Sequence, residues 1–193
     1  MSANHISFDI ETLGTKPGSV IASVGAVVFD PKAGIQSAEE LMSNAFKVLI
    51  DIRESIAKGM DVSGDTISWW MQQSDAARNA TFNPKDKTDV RTLDTAAINI
   101  ASFVRSVDKP FVWGNGASFD ISLMEAMFDV VDRKYPWAYT RIRCLRTLKN
   151  VAQYDEAAIP KNELPHDCLA DAIYQAQVIQ AIAAANPTLV FNK

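Results

Sequence analysis

Apolar and polar residues alternate most clearly near the start of the chain. Residues 5–10 and 20–29 are short β-compatible runs, separated by Gly14 and the Pro17-Gly18 pair, and residues 45–50 form a third. Short connections between them predict antiparallel neighbours, because parallel strands need crossovers of a dozen residues or more. After residue 50 the pattern turns helical. Ile67, Trp70 and Met71 recur at helical spacing within residues 66–73, as do Ala97, Ile100, Ala101 and Val104 within 93–107. A short strand is expected over 111–113. A helix then starts at Ser118 or Phe119, with Ser118 as its expected N-cap and Ile121, Met124 and Phe128 forming an apolar stripe that Met127 widens. The last strand is expected over 139–143, and two final helices over 144–152 and 169–185.

This order predicts an α/β fold with a mixed five-stranded sheet, three antiparallel strands with two parallel additions, flanked by helices. It is the ribonuclease H-like arrangement. At 193 residues and 48% hydrophobic content, the chain is expected to form one domain over residues 1–193. No apolar run reaches the roughly 18 residues of a membrane span, and Asp9 and Glu11 precede any signal-peptide core, so a soluble, cytoplasmic protein is expected. Cys144 and Cys168 lack CxxC spacing and are expected to be reduced and packed. The net charge of −4 disfavours wrapping of a duplex, which needs many cationic contacts with phosphate. A chain end can still be held where bound cations supply the positive charge.

The most informative segment is Phe8-Asp9-Ile10-Glu11-Thr12. Side chains alternate along a strand, so Asp9 and Glu11 share one face while Phe8 and Ile10 take the other. Two carboxylates on one face of a central strand repel each other and resist desolvation, which calls for a positive partner. Oxygen ligands suit Mg²⁺ or Mn²⁺. Alone, such a pair is as readily the surface end of an edge strand. Asp120 follows a Gly-containing turn at a helix start, where the macrodipole favours its ionised form; ordinary helix decoration is the alternative. In Pro165-His166-Asp167-Cys168-Leu169-Ala170-Asp171, five helical steps would set His166 and Asp171 about 140° apart. Pro165 points to a helix beginning at Asp167 or Cys168 with Asp167 as N-cap, leaving His166 on a loop free to bend toward Asp171. The other histidine, His5, lies within a strand and suits a structural role.

Asp9-x-Glu11, Asp120 and His166-x4-Asp171 resemble, in order and type, the motifs of DEDDh 3′–5′ exonucleases over nearly the whole chain. The stretch from Gly18 to Ala26, the Trp69-Trp70 pair and Trp113-Gly114-Asn115-Gly116 are similar to single-domain phage and bacterial 3′–5′ exoribonucleases; phage exonuclease A proteins, described as deoxyribonucleases, look similar too. The resemblance implies a nuclease that releases nucleoside monophosphates from a 3′ end, acting on single-stranded or 3′-overhang nucleic acid, RNA rather than DNA. It implies two divalent ions, Mg or Mn: Asp9, Glu11 and Asp171 around one, Asp9 and Asp120 at the second, with His166 as general base. Two ions about 4 Å apart clamp the entering and departing oxygens of such a displacement. An imidazole, with an ordinary pKa of about 6.5, suits the base role.

Thr12 and Leu13 would, by the same likeness, contact the terminal nucleotide, and Asn115 is a further expected substrate contact. Trp69 could stack a base, while Trp70 is assigned to packing. Arg141, Arg143, Arg146 and Lys149 flank Ile142, Leu145 and Leu148, and form the densest basic cluster; a solvated helix face, phosphate contact and a subunit interface are its readings. Relatives are commonly homodimers, and a homodimer is carried over as an expectation. The rivals are an exodeoxyribonuclease of the same fold, a catalytically inactive nucleic-acid-binding module, and a Cys168–His166 hydrolase, which lacks an evident orienting acid.

Overall fold

The computed structural model describes residues 4–83, 89–155, 159 and 165–191. The chain runs through β1 (His5–Thr12), β2 (Ile21–Phe29), α1 (Ala38–Met42), β3 (Ala45–Ile50), α2 (Ile52–Ala57), α3 (Gly64–Trp70) and α4 (Asp75–Phe82). It continues through β4 (Val90–Arg91), α5 (Leu93–Arg105), β5 (Phe111–Gly114), α6 (Asp120–Val130), β6 (Ile142–Cys144), α7 (Leu145–Ala152) and α8 (Cys168–Ala185). Among the described residues the sheet order is β4-β3-β2-β1-β5-β6. The β1–β2 and β2–β3 pairs are antiparallel, and β5 and β6 add in parallel on the other side of β1.

Period-two patterning sorts β1 between two cores. Ile6, Phe8 and Ile10 face a cluster built with Leu93, Ala97 and Ile100 of α5 and Ile121, Met124 and Phe128 of α6. The opposite face looks toward α8. There the His5 ring stacks on Phe111 with centroids 4.9 Å apart, and its Nδ1 accepts from Trp113 Nε1 at 2.9 Å. His5 thus has the structural place expected for it.

Helix α8 holds the site against the sheet. Asp167 caps it, accepting from the N–H groups of Leu169 and Ala170, as its sequence suggests. Cys168, Ala172, Ala176 and Ile179 are buried, and α8 packs on β1 and β2. Gly25 allows the approach: a side chain there would overlap the backbone of Cys168 and Leu169. Both cysteines are free thiols, and burial pushes that of Cys168 up.

Several expectations are corrected. The sheet has a sixth strand, Val90–Arg91, whose two residues are too few to leave a periodic signal. Ser118 is exposed and does not cap α6; Phe119 holds the cap position without a side-chain bond, and the N–H groups of Phe119 and Asp120 instead donate to the Gly116 carbonyl. Tyr139–Arg141 forms a 3-10 turn, so β6 begins only at Ile142. In α3 only Trp70 is buried, while Ile67 and Met71 stay exposed, because a helix this short anchors by one large ring. No helix among the described residues is long and apolar enough to cross a membrane.

Candidate active site

The polar site lies at the C-terminal ends of the parallel pair β1 and β5. Asp9 and Glu11 reach it from one face of β1, about 7 Å apart along the strand. Asp120 arrives from the first turn of α6, just beyond β5. Gly114 makes room for it, since a Cβ there would stand 2.7 Å from Asp120 Oδ2. Asp171 projects from the first turn of α8.

His166 joins them from the preceding loop. Its backbone is left-handed, with φ 65°, and its N–H donates to Asp171 Oδ2 at 2.9 Å. This turn removes the angular offset that a continuous helix would impose. Thr81 Oγ1 donates to the His166 carbonyl at 3.4 Å, and the Trp69 ring meets the imidazole edge-on at 4.9 Å between centroids. Glu11, His166 and Asp171 offer ligand atoms that all lie within 4.8 Å of one another. A cavity of about 700 Å³ opens over them, lined by all four carboxylate residues and His166.

Burial first, and for Asp9 and Glu11 the neighbouring negative charges second, makes Asp9, Glu11 and Asp120 reluctant to ionise. Asp9 is held well above the usual carboxylate range by desolvation and by the charges of Asp120, Glu11 and Asp171, against one bond from Gln175. Glu11 is pushed up to about 8 by burial and by Asp171, Asp167 and Asp120, with Lys47 acting in the opposite sense. Burial raises Asp120 to about 7, although backbone N–H groups and Arg146 pull it down. Lys47 spends its bond on Asp167, at 2.6 Å, rather than on the cluster. The cluster therefore wants cationic charge, and its carboxylate oxygens form a hard donor set suited to Mg²⁺ or Mn²⁺.

Three of the four expected substrate contacts line the cavity: Thr12, Trp69 and Asn115. Thr12 Oγ1 donates to the Gly14 carbonyl, and the Thr12 carbonyl accepts from Trp70 Nε1 at 2.9 Å. Trp70 is buried, as assigned, while Trp69 is 42% exposed. Asn115 Oδ1 is buried with no hydrogen-bond partner among the described residues. Leu13 is the correction: it packs in the core at 6% exposed and does not line the cavity. The register shifts between Glu11 and Thr12, which breaks the alternation that would have aimed Leu13 to the carboxylate face.

The basic cluster divides. Arg141 and Arg143 lie over the Phe111 ring, each 4.5 Å from its centroid, whereas Arg146 and Lys149 line the cavity. Sequence reasoning missed Gln175, which also lines it. Its signal was present: Gln175 stands four residues after Asp171, on the same helical face.

Solved structures share this fold. The nuclease domain of 3′hExo, described as a DEDDh family member bound to rAMP, aligns over 100% of this chain and 98% of its own, at 12% identity and TM-score 0.60. S. pombe Pop2p in its Mg²⁺- and Mn²⁺-bound form aligns over 95% of this chain and 84% of its own, at 11% identity and TM-score 0.54. A 3′-exonuclease described in 3′-end-specific recognition of a histone mRNA stem-loop aligns over 96% and 84%, at 10% and 0.54. No curated protein matches the chain in sequence. A ribonuclease H-like sheet carrying the Asp-x-Glu, Asp and His-x4-Asp pattern is that of a DEDDh 3′–5′ exonuclease. Residues 4–183 match the 3′–5′ exoribonuclease Rv2179c-like domain, and the chain belongs to that family.

Proposed function

We propose that this exonuclease acts on RNA, removing one nucleoside 5′-monophosphate at a time from a 3′ end, with divalent cations held by Asp9, Glu11, Asp120 and Asp171 and with His166 as general base. The observation that carries the reading is the convergence of four carboxylates, three of them with raised pKa values, beside one imidazole in a single cavity. The family's description as exoribonuclease, and the ribonucleotide or mRNA in the descriptions of two structural relatives, support the choice of RNA.

Two bound Mg²⁺ or Mn²⁺ ions would supply Lewis acidity and neutralise charge at the reacting phosphate. The chain's residues supply the rest. His166, fixed by Asp171, Thr81 and the Trp69 ring, takes the proton of the attacking water. As the water oxygen bonds to phosphorus, the bond to the departing 3′-oxygen breaks; that oxygen takes a proton from solvent, leaving a nucleoside 5′-monophosphate and a shortened strand with a 3′-hydroxyl. Arg146 and Lys149 hold phosphates from the α7 side of the cavity. Stacking of the terminal base on Trp69 contributes roughly 1–3 kcal/mol whatever the base. Asn115 Oδ1, an acceptor in want of a donor, receives a hydrogen bond from a sugar hydroxyl.

The test is parallel digestion of RNA and DNA oligomers of one sequence, labelled at the 5′ end, with Mn²⁺ or Mg²⁺. The expected pattern is a one-nucleotide ladder, faster on RNA. Faster digestion of DNA would transfer the assignment to an exodeoxyribonuclease. Intact substrates in both lanes would favour a binding module.

A further inference from the structure

The register between β1 and α8 assigns each strand carboxylate a polar counterpart on the helix. Alternate residues on a strand lie about 7 Å apart and residues four apart on a helix about 6 Å. Asp9 and Glu11 therefore match Gln175 and Asp171. At one end, Asp171 joins Glu11 and His166 within the 4.8 Å group. At the other, Gln175 Nε2 donates to Asp9 Oδ1 at 2.7 Å.

Gln175 is 3% exposed and sits among the packing residues of α8, between Ala172, Ala176 and Ile179. Burying an amide is unfavourable unless it is hydrogen-bonded, so its place in an apolar surface calls for a specific partner. Asp9 is that partner. The other end of the amide, Oε1, is buried without a partner among the described residues although Gln175 lines the cavity.

We propose that Gln175 is a positioning residue that sets the carboxylate plane of Asp9 and thereby the protein's affinity for divalent cations. Its N–H engages one oxygen of Asp9 and leaves the other to a cation, while Oε1 accepts from a water that enters with that cation. An amide meets both needs without charge. A fifth carboxylate at this position would add to the repulsion already raising Asp9, and an aliphatic side chain would release the Asp9 rotamer.

The proposal rests on the divalent-cation reading, and the test separates the two. Mn²⁺ alone is titrated calorimetrically into the metal-free full chain, into Gln175→Met, which keeps length and volume, and into Gln175→Leu. Thermal unfolding of each without metal reports folding. Wild-type protein is expected to bind Mn²⁺, and both variants to stay folded with affinity lowered about 10-fold or more, the scale for loss of an outer partner of a metal ligand. In turnover assays the loss should appear in the Mn²⁺ concentration for half-maximal rate more than in the saturated rate. A folded Gln175→Met protein with wild-type Mn²⁺ affinity overturns the role of Gln175 and leaves the cation reading standing. Absence of Mn²⁺ binding by the wild type overturns both.

Discussion

Removal of divalent cations should make this protein less stable as the pH rises, the reverse of ordinary acid denaturation. Glu11 illustrates the size of the effect. Its displacement from 4.5 to about 8, at 1.36 kcal/mol per unit, corresponds to about 5 kcal/mol of unfavourable energy once it ionises. Asp9 and Asp120 are shifted in the same direction, but the three share one field and their contributions do not simply add. A carboxyl with a raised folded-state pKa stabilises fully below its unfolded value and loses that contribution as pH climbs through the folded value. The window here is therefore about pH 4.5 to 8. Exposed Asp94 and Glu40 shift downward and stabilise in the opposite sense, but their effect falls below this window.

The assay is thermal unfolding of EDTA-treated protein between pH 5 and about 8.5, repeated with saturating Mn²⁺. With about 2–4 °C per kcal/mol for a chain of this size, the metal-free midpoint should drop by about 10 °C across the range. The gap opened by Mn²⁺ should widen as the pH rises, because the cation binds the ionised cluster. Glu11→Gln should flatten the metal-free slope. A metal-free midpoint that is constant or climbs from pH 5 to 8 would refute the electrostatic account of the cluster.

Asp9→Ala and Asp171→Ala should each abolish exonuclease turnover while circular dichroism shows the fold retained; an unchanged rate in either would remove it from the site. His166→Asn should lower the rate by about 10²-fold or more while Mn²⁺ affinity stays near wild type; a drop in affinity matching that of Asp9→Ala would instead make the imidazole a ligand, as its place within the 4.8 Å group also allows. Gly114→Ala should displace Asp120 and reduce activity more than stability, measured by comparing kcat with the thermal midpoint. Trp70→Ala should destabilise by about 3–5 kcal/mol in denaturant titration, whereas Trp69→Ala should leave stability within about 1 kcal/mol and raise KM for oligonucleotides.

Much of this architecture was legible because long, strongly patterned segments dominate it. Phe8 and Ile10 alternate with Asp9 and Glu11 as a strand requires, and the α6 stripe of Ile121, Met124 and Phe128 is fully packed. The cap at Asp167 and the loop position of His166 followed from Pro165. What escaped was local. Helices α1, α2 and α4 were not read, although Ser37, Asp51 and Ser74 each cap one through a side chain and were available as markers. The expectation for Leu13 was carried by likeness alone, and no residue pattern revealed the irregularity after Glu11 beyond which Leu13 turns into the core. Gln175 passed unnoticed because its spacing from Asp171 marks only a shared helical face, and its partner Asp9 lies 166 residues earlier.

Gly25 stands opposite Asp9 in the β1–β2 ladder and beneath the backbone where α8 begins. The spacing between the acid-bearing strand and the acid-bearing helix is thus set by main chain against main chain, with no side chain to trim or enlarge. In a saturation survey of the gene, codon 25 should tolerate replacement as poorly as the codons for the acids themselves. Its intolerance would mimic that of a reacting group, though a glycine there never meets a nucleotide.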